Sequence, residues 1–216
     1  MAGAPVSGDV KLPEWMNPAV RGVAALFDQR NGVQQMDRKT VTLVLGGVRS
    51  GKSRWAQQLA SLSGRVAYVA TAEAVDEEMS EKIRRHRQDR PSHWCTIEEP
   101  LELARVISGR AAEFDLLLVD CLTVYVSNLL WAAESDPASL VPRIEGLLEA
   151  LRTVSVSVIV VSNEVGSGVV PEYPSGRKFR DALGELNQRV AALADNVVLM
   201  VAGLPLALKG SLGAVL

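Results

Sequence analysis

The run Gly46-Gly47-Val48-Arg49-Ser50-Gly51-Lys52-Ser53 follows the apolar stretch Val41-Thr42-Leu43-Val44-Leu45 and leads into a segment of helical period. This is the pattern of a phosphate-cradling P-loop. Its glycines let successive backbone N–H groups converge on an anion, and the helix behind it adds the positive end of its dipole. Lys52 is then placed to reach the β- and γ-phosphates, and the Ser53 hydroxyl to ligate Mg²⁺. The competing reading is an ordinary strand-turn-helix with an accidental Gly-Lys-Ser. A second candidate is Asp120, at the end of Leu116-Leu117-Leu118-Val119, where a Walker-B carboxylate would meet the same Mg²⁺; a helix cap is the alternative.

His86 shares a helical stripe with Met79 and Ile83. A histidine so placed is more often a hydrogen-bonded core residue than a catalyst, although an imidazole titrating near pH ~6.5 is a competent nucleophile at neutral pH. Around it stand Arg84, Arg85, Arg87 and Arg90, whose guanidinium groups suit phosphate oxygens or simply a solvated basic face. His93 follows Pro91 in a loop and receives no role. The glycine-bearing stretch Ser162 to Glu172 directly follows an apolar run and reads as a substrate-facing loop. Beyond it, Arg177, Lys178 and Arg180, with Asp181 beside Arg180, are phosphate contacts or ordinary surface charges; spacing leaves the two open.

These residues need a scaffold that brings strand ends together. The apolar runs Val41–Leu45, Val66–Ala70, Leu116–Asp120, Val156–Ser162 and Val197–Ala202 are continuous rather than alternating, as strands buried on both faces of a parallel sheet require. Helices are expected after Gly51 and over 76–90, 100–108, 122–132, 137–153 and 176–194. In the last, Phe179, Leu183, Leu186, Val190 and Leu193 form one apolar stripe. The expected fold is α/β, a mostly parallel sheet flanked by helices, with ligands gathered at the carboxyl ends of the strands.

A chain of 216 residues fits one well-buried catalytic domain, expected over 39–216. Residues 1–38 form an extension broken by Gly3, Pro5, Gly8, Pro13 and Pro18, either poorly ordered, with Met36 as the true start, or carrying a short docking helix through Trp15, Leu26 and Phe27. A net charge of -2, with 48% hydrophobic and 22% charged residues, gives no basic excess for a nucleic-acid partner. Cys95 and Cys121 lack metal-ligand or disulfide-framework spacing, which fits a reducing cytoplasm. No apolar run reaches the ~18 residues of a bilayer span, and no secretory signal is read at the N-terminus.

Taken together, the segments resemble the bifunctional adenosylcobinamide kinase / adenosylcobinamide-phosphate guanylyltransferase family of cobalamin biosynthesis. The matching pieces are the P-loop with Arg54, Ala70-Thr71-Ala72-Glu73, Ile83-Arg84-Arg85-His86-Arg87 with Arg90-Pro91 and Trp94, and Thr96-Ile97-Glu98-Glu99-Pro100. Further on come Asp120-Cys121-Leu122-Thr123 with Asn128-Leu129-Leu130, Ser162-Asn163-Glu164-Val165-Gly166, and Phe179-Arg180-Asp181 with Asn187-Gln188. They run in family order from about Val41 to Gly203; the extension before Met36 and the tail from Leu208 have no clear counterpart.

The resemblance implies a RecA-like P-loop domain, GTP and ATP as co-substrates with Mg²⁺, adenosylcobinamide and its phosphate as acceptors, and a homotrimer. It implies that His86 accepts GMP, and that Arg87, Thr71, Ala72, Glu73 and Glu98 line the nucleotide site beside the P-loop and Asp120. The rival readings are a P-loop small-molecule kinase without guanylyl transfer and, less favoured, a RecA-like nucleotide-dependent switch.

Overall fold

The computed structural model describes residues 39–73 and 90–212, together with Glu77, Glu81 and Arg84. The extension 1–38, most of the expected helix over 76–90, and the last residues of the tail lie outside the described residues. Glu77, Glu81 and Arg84 are helical, in agreement with the expected period.

Seven strands form one sheet in the order β3-β2-β4-β5-β1-β6-β7. They are β1 (Val41–Gly46), β2 (Val66–Ala70), β3 (Cys95–Glu98), β4 (Leu116–Asp120), β5 (Ser157–Val161), β6 (Asn196–Val201) and β7 (Leu204–Lys209). All pairings are parallel except β6 with β7. The helices are α1 (Lys52–Ala60), α2 (Leu103–Arg110), α3 (Leu122–Ser135), α4 (Leu140–Thr153) and α5 (Pro174–Leu193). Short 3₁₀ turns at Ala111–Glu113 and Pro137–Ser139 complete the described elements. No helix among the described residues is long and apolar enough to cross a membrane.

The continuous apolar runs are central strands because helices cover both faces. Leu43, Val44, Leu117, Leu118, Val158 and Val161 are fully buried, each side chain contributing roughly 1.5–3 kcal/mol by leaving water. On the helices the stripes point inward: Leu183, Leu186 and Val190 of α5 join Leu122, Tyr125 and Leu129 of α3 and Leu147, Leu148 and Leu151 of α4 in one core. Asp195 ties the entry to β1, accepting the Val41 N–H at 2.9 Å.

Two strands were not anticipated. β3 is a half-exposed edge of four residues, with alternating burial rather than a continuous apolar run. β7 hairpins back from β6 through Ala202 and Gly203, both at positive φ (50° and 82°), the handedness a tight two-residue hairpin needs. Leu208 and Lys209, assigned above to a tail, are therefore the end of the sheet.

Candidate functional site

The phosphate loop connects β1 to α1 at the carboxyl edge of the sheet. Gly46 has φ 157°, and a Cβ there would meet the Ser50 hydroxyl and stand 2.8 Å from the Met200 carbonyl, so only glycine fits. Gly51, at φ 94°, caps α1 from the left-handed region, and its missing Cβ would lie 3.3 Å from Gly203 Cα. The β6–β7 hairpin thus braces the loop from behind, and Gly203 N–H donates to the Ser50 carbonyl at 2.9 Å. Gly203 was missed as a site residue, although a glycine ending an apolar run is a turn signal. Val48 is exposed, and Arg49 holds φ 58° at the loop's tip. The buried Ser50 hydroxyl has no hydrogen-bond partner among the described residues, and Lys52 Nζ donates to the Gly47 carbonyl at 3.0 Å, inside the loop.

Asp120 does not cap the helix that follows it; α3 has no side-chain cap, and Cys121 holds the cap position. Its carboxylate faces the P-loop instead. Strand β5 lies between β4 and β1, but α1 crosses back over β4 and β5, so that Ser53 Oγ donates to Asp120 Oδ1 at 3.4 Å. The other oxygen accepts the Tyr68 hydroxyl at 2.8 Å. A hydroxyl and a carboxylate this close suit Mg²⁺, which prefers few protein oxygens and completes its shell with water and substrate phosphate. No cluster of three acidic, histidine or cysteine ligands exists among the described residues.

Tyr68 was not foreseen as a site residue. Lying in a buried apolar strand, it carried no signal apart from a phenol where an aliphatic side chain would serve. Its ring supports Arg90, whose guanidinium carbon sits 3.4 Å from the ring centroid. Arg90 Nε and Nη1 and Trp94 Nε1 are buried without a hydrogen-bond partner among the described residues. They border an open pocket of about 550 Å³ lined by Arg90, Pro91, Ser92, Trp94, Thr96 and Glu98. Contacts therefore run unbroken from this pocket through Arg90, Tyr68 and Asp120 to Ser53. Thr71 secures the middle: its hydroxyl donates to the Cys121 carbonyl at 2.8 Å and accepts the Cys121 N–H at 2.9 Å. Asn128 Nδ2 donates to the Thr71 carbonyl at 2.8 Å and to that of Pro100 at 3.2 Å, locking the β2 and β3 ends to α3. Ala72 and Glu73 follow at the strand's end, where Glu73 is exposed. His86 and Arg87 lie outside the described residues.

Burial, then repulsion from Asp120, raises the Tyr68 phenol well above its ordinary 10.0; burial, then Glu102, raises Tyr125. Both therefore hold their protons more tightly in the folded chain than in the unfolded one. The stability this gives is complete below the unfolded value and is lost as pH rises above it. The urea midpoint is expected to stay level to about pH 9 and to fall above about pH 10, less steeply in Tyr68→Phe. A midpoint flat through that range would contradict the assignment.

Of the cations beyond β5, Arg177 turns inward, donating to the Pro171 and Glu172 carbonyls at 3.0 and 2.6 Å. Arg180 pairs with Asp181 at 3.1 Å, as the sequence suggested. Arg84 pairs with Glu81 at 2.7 Å.

Residues 42–208 match the model of the family described as cobinamide kinase / cobinamide phosphate guanyltransferase. The chain belongs to this family. Among the relatives of the cobinamide kinase / guanyltransferase family, the bifunctional adenosylcobalamin biosynthesis protein CobP of Pseudomonas aeruginosa is 48% identical over 169 residues, covering 78% of this chain and 96% of that protein. The CobU proteins of Salmonella typhimurium and Escherichia coli are 40% and 39% identical over 178 residues, each covering 77% of this chain and 98% of the relative. Among solved structures, an ATPase of the type III secretion system of pathogenic bacteria superposes with a TM-score of 0.51 at 10% identity, over 82% of this chain and 60% of that one. That likeness concerns the fold alone, a mostly parallel sheet flanked by helices. As a kinase and guanyltransferase family member on a P-loop fold, the chain is an enzyme that uses nucleoside triphosphates.

Proposed function

We propose that this chain phosphorylates adenosylcobinamide and then transfers GMP from GTP to the product, giving adenosyl-GDP-cobinamide. The observation that carries the reading is the P-loop cradle, with Ser53 and Asp120 in contact, in a chain matching the family over residues 42–208. In the kinase step the hydroxyl of the aminopropanol arm attacks the γ-phosphorus of ATP or GTP. The bond to the β-phosphate oxygen breaks, a nucleoside diphosphate leaves, and the hydroxyl proton passes to solvent.

In the transferase step a ring nitrogen of His86 attacks the α-phosphorus of GTP and pyrophosphate leaves. A phosphate oxygen of adenosylcobinamide phosphate then breaks the P–N bond, and the imidazole returns. Lys52 and the loop N–H groups offset the charge on the leaving phosphates in both steps. Mg²⁺, held by Ser53 and Asp120, would supply further neutralisation when bound. Thr71, Ala72, Glu73, Arg87 and Glu98 belong to the nucleotide site in this reading, which also includes a homotrimer and a cytoplasmic setting.

Adenosylcobinamide incubated with GTP and Mg²⁺ is expected to gain first one phosphate and then GMP by mass, with release of GDP and pyrophosphate. Accumulation of the phosphorylated corrinoid alone would reduce the reading to a kinase.

A further inference from the structure

The segment from Ser162 to Glu172, between β5 and α5, is anchored at both ends and apolar in between. At its base, Glu164 N–H donates to the carbonyl of Gly46, the first residue of the P-loop, at 3.1 Å. Asn163 N–H donates to Thr123 Oγ1 at 2.9 Å, and its carbonyl accepts Asn187 Nδ2 at 2.9 Å. Val165 packs against the core. At the far end Arg177 bonds the Pro171 and Glu172 carbonyls, and Gly176 lies so close to Pro171 that a Cβ would stand 2.8 Å from it. Between these anchors the side chains face water: Val169 is 95% exposed, Val170 62%, and Tyr173, at the start of α5, 71%.

Anchoring at both ends limits the entropy the loop loses when something binds to it, so its exposed apolar groups are partly preorganised for contact. The two valine side chains offer a triphosphate neither charge nor a hydrogen bond, and the face of the Tyr173 ring is apolar. They do suit the second substrate of the proposed function, on which this inference rests. The acceptor hydroxyl must reach the γ-phosphorus, while the body of the acceptor is a broad, methyl-studded corrin ring that stays outside the phosphate cradle. The geometry points to the Val169-Val170-Tyr173 surface as a seat for the corrin ring, carried on a loop rooted at the P-loop so that the aminopropanol arm is aimed at the bound nucleotide.

The test compares the wild type with the double variant Val169→Ser/Val170→Ser and with Tyr173→Ser, all exposed positions. The KM for adenosylcobinamide in the kinase reaction is expected to rise about tenfold or more in the double variant, from lost apolar contact. The nucleotide KM and GMP labelling by GTP alone should stay as in the wild type. An unmoved corrinoid KM overturns the assignment. So does a changed mass by light scattering with that KM unmoved, which would make the loop a contact between copies of the chain. If the wild type transfers no phosphate to adenosylcobinamide, the proposed function fails by itself. Equilibrium binding of adenosylcobinamide, followed by its visible absorbance, then decides the loop separately: equal affinity in wild type and double variant, or no binding by the wild type, overturns it.

Discussion

Replacing His86 with alanine is expected to abolish covalent labelling by GTP carrying its label on the α-phosphate. In the wild type the adduct should be acid-labile and base-stable, because a protonated phosphoramidate nitrogen is a good leaving group and an unprotonated one is not. The variant lacks the imidazole that the scheme uses to form the P–N bond, so the effect is a loss rather than a reduction. Phosphorylation of adenosylcobinamide should survive the substitution, since the γ-phosphoryl passes directly to the hydroxyl and the imidazole takes no part. Two results would sink the assignment: labelling that persists in His86→Ala, or wild-type protein that demonstrably binds GTP and takes up no label. Loss of the kinase along with the labelling would instead point to damage at the P-loop, and nucleotide binding by the variant would separate the two.

The parts of this site that could be read from sequence are those whose spacing reflects backbone necessity. Gly46, Gly51 and Lys52 belong to a loop that must curl around an anion, and Asp120 ends a strand that must stay dry until its last residue. Both requirements leave a pattern in residue types. The continuous valine and leucine runs announced β1, β2, β4, β5 and β6 for the same reason, since strands covered on both faces have no polar positions to alternate.

What escaped notice lies at the margins of those rules. Cys95–Glu98 is an edge strand with one wet face, and its four residues are too few for a period to register. In Leu204–Lys209, Pro205 argues against a strand, yet an edge tolerates proline where no partner needs its N–H. Tyr68 was unreadable for a different reason. Its role comes from β2 pairing with β4, where Ala70 lies opposite Asp120, a register that no local pattern encodes. The Arg177 bonds to its own loop likewise depend on how Pro171 folds back onto Gly176, a matter of packing rather than spacing.

Lys52→Ala should lower both activities together, by roughly 10²–10³ in rate if the ammonium counts as one preorganised electrostatic group. Its Nζ already lies 3.0 Å from the Gly47 carbonyl, within the loop that would wrap the phosphates. Alanine leaves the backbone N–H groups and the α1 dipole in place, so nucleotide should still bind, though more weakly, and the fold should persist. Charge on the leaving group would then develop with less compensation, on a nucleoside diphosphate in the kinase step and on pyrophosphate in the transferase step. Arginine should not restore the rate, because a planar fork cannot take the place of a compact ammonium inside the loop. Kinase turnover and α-phosphate labelling, measured side by side on Lys52→Ala, give the decisive comparison. A fall in one with the other intact would mean that the two reactions use different phosphate sites, and the single cradle on which the mechanism rests would have to be given up.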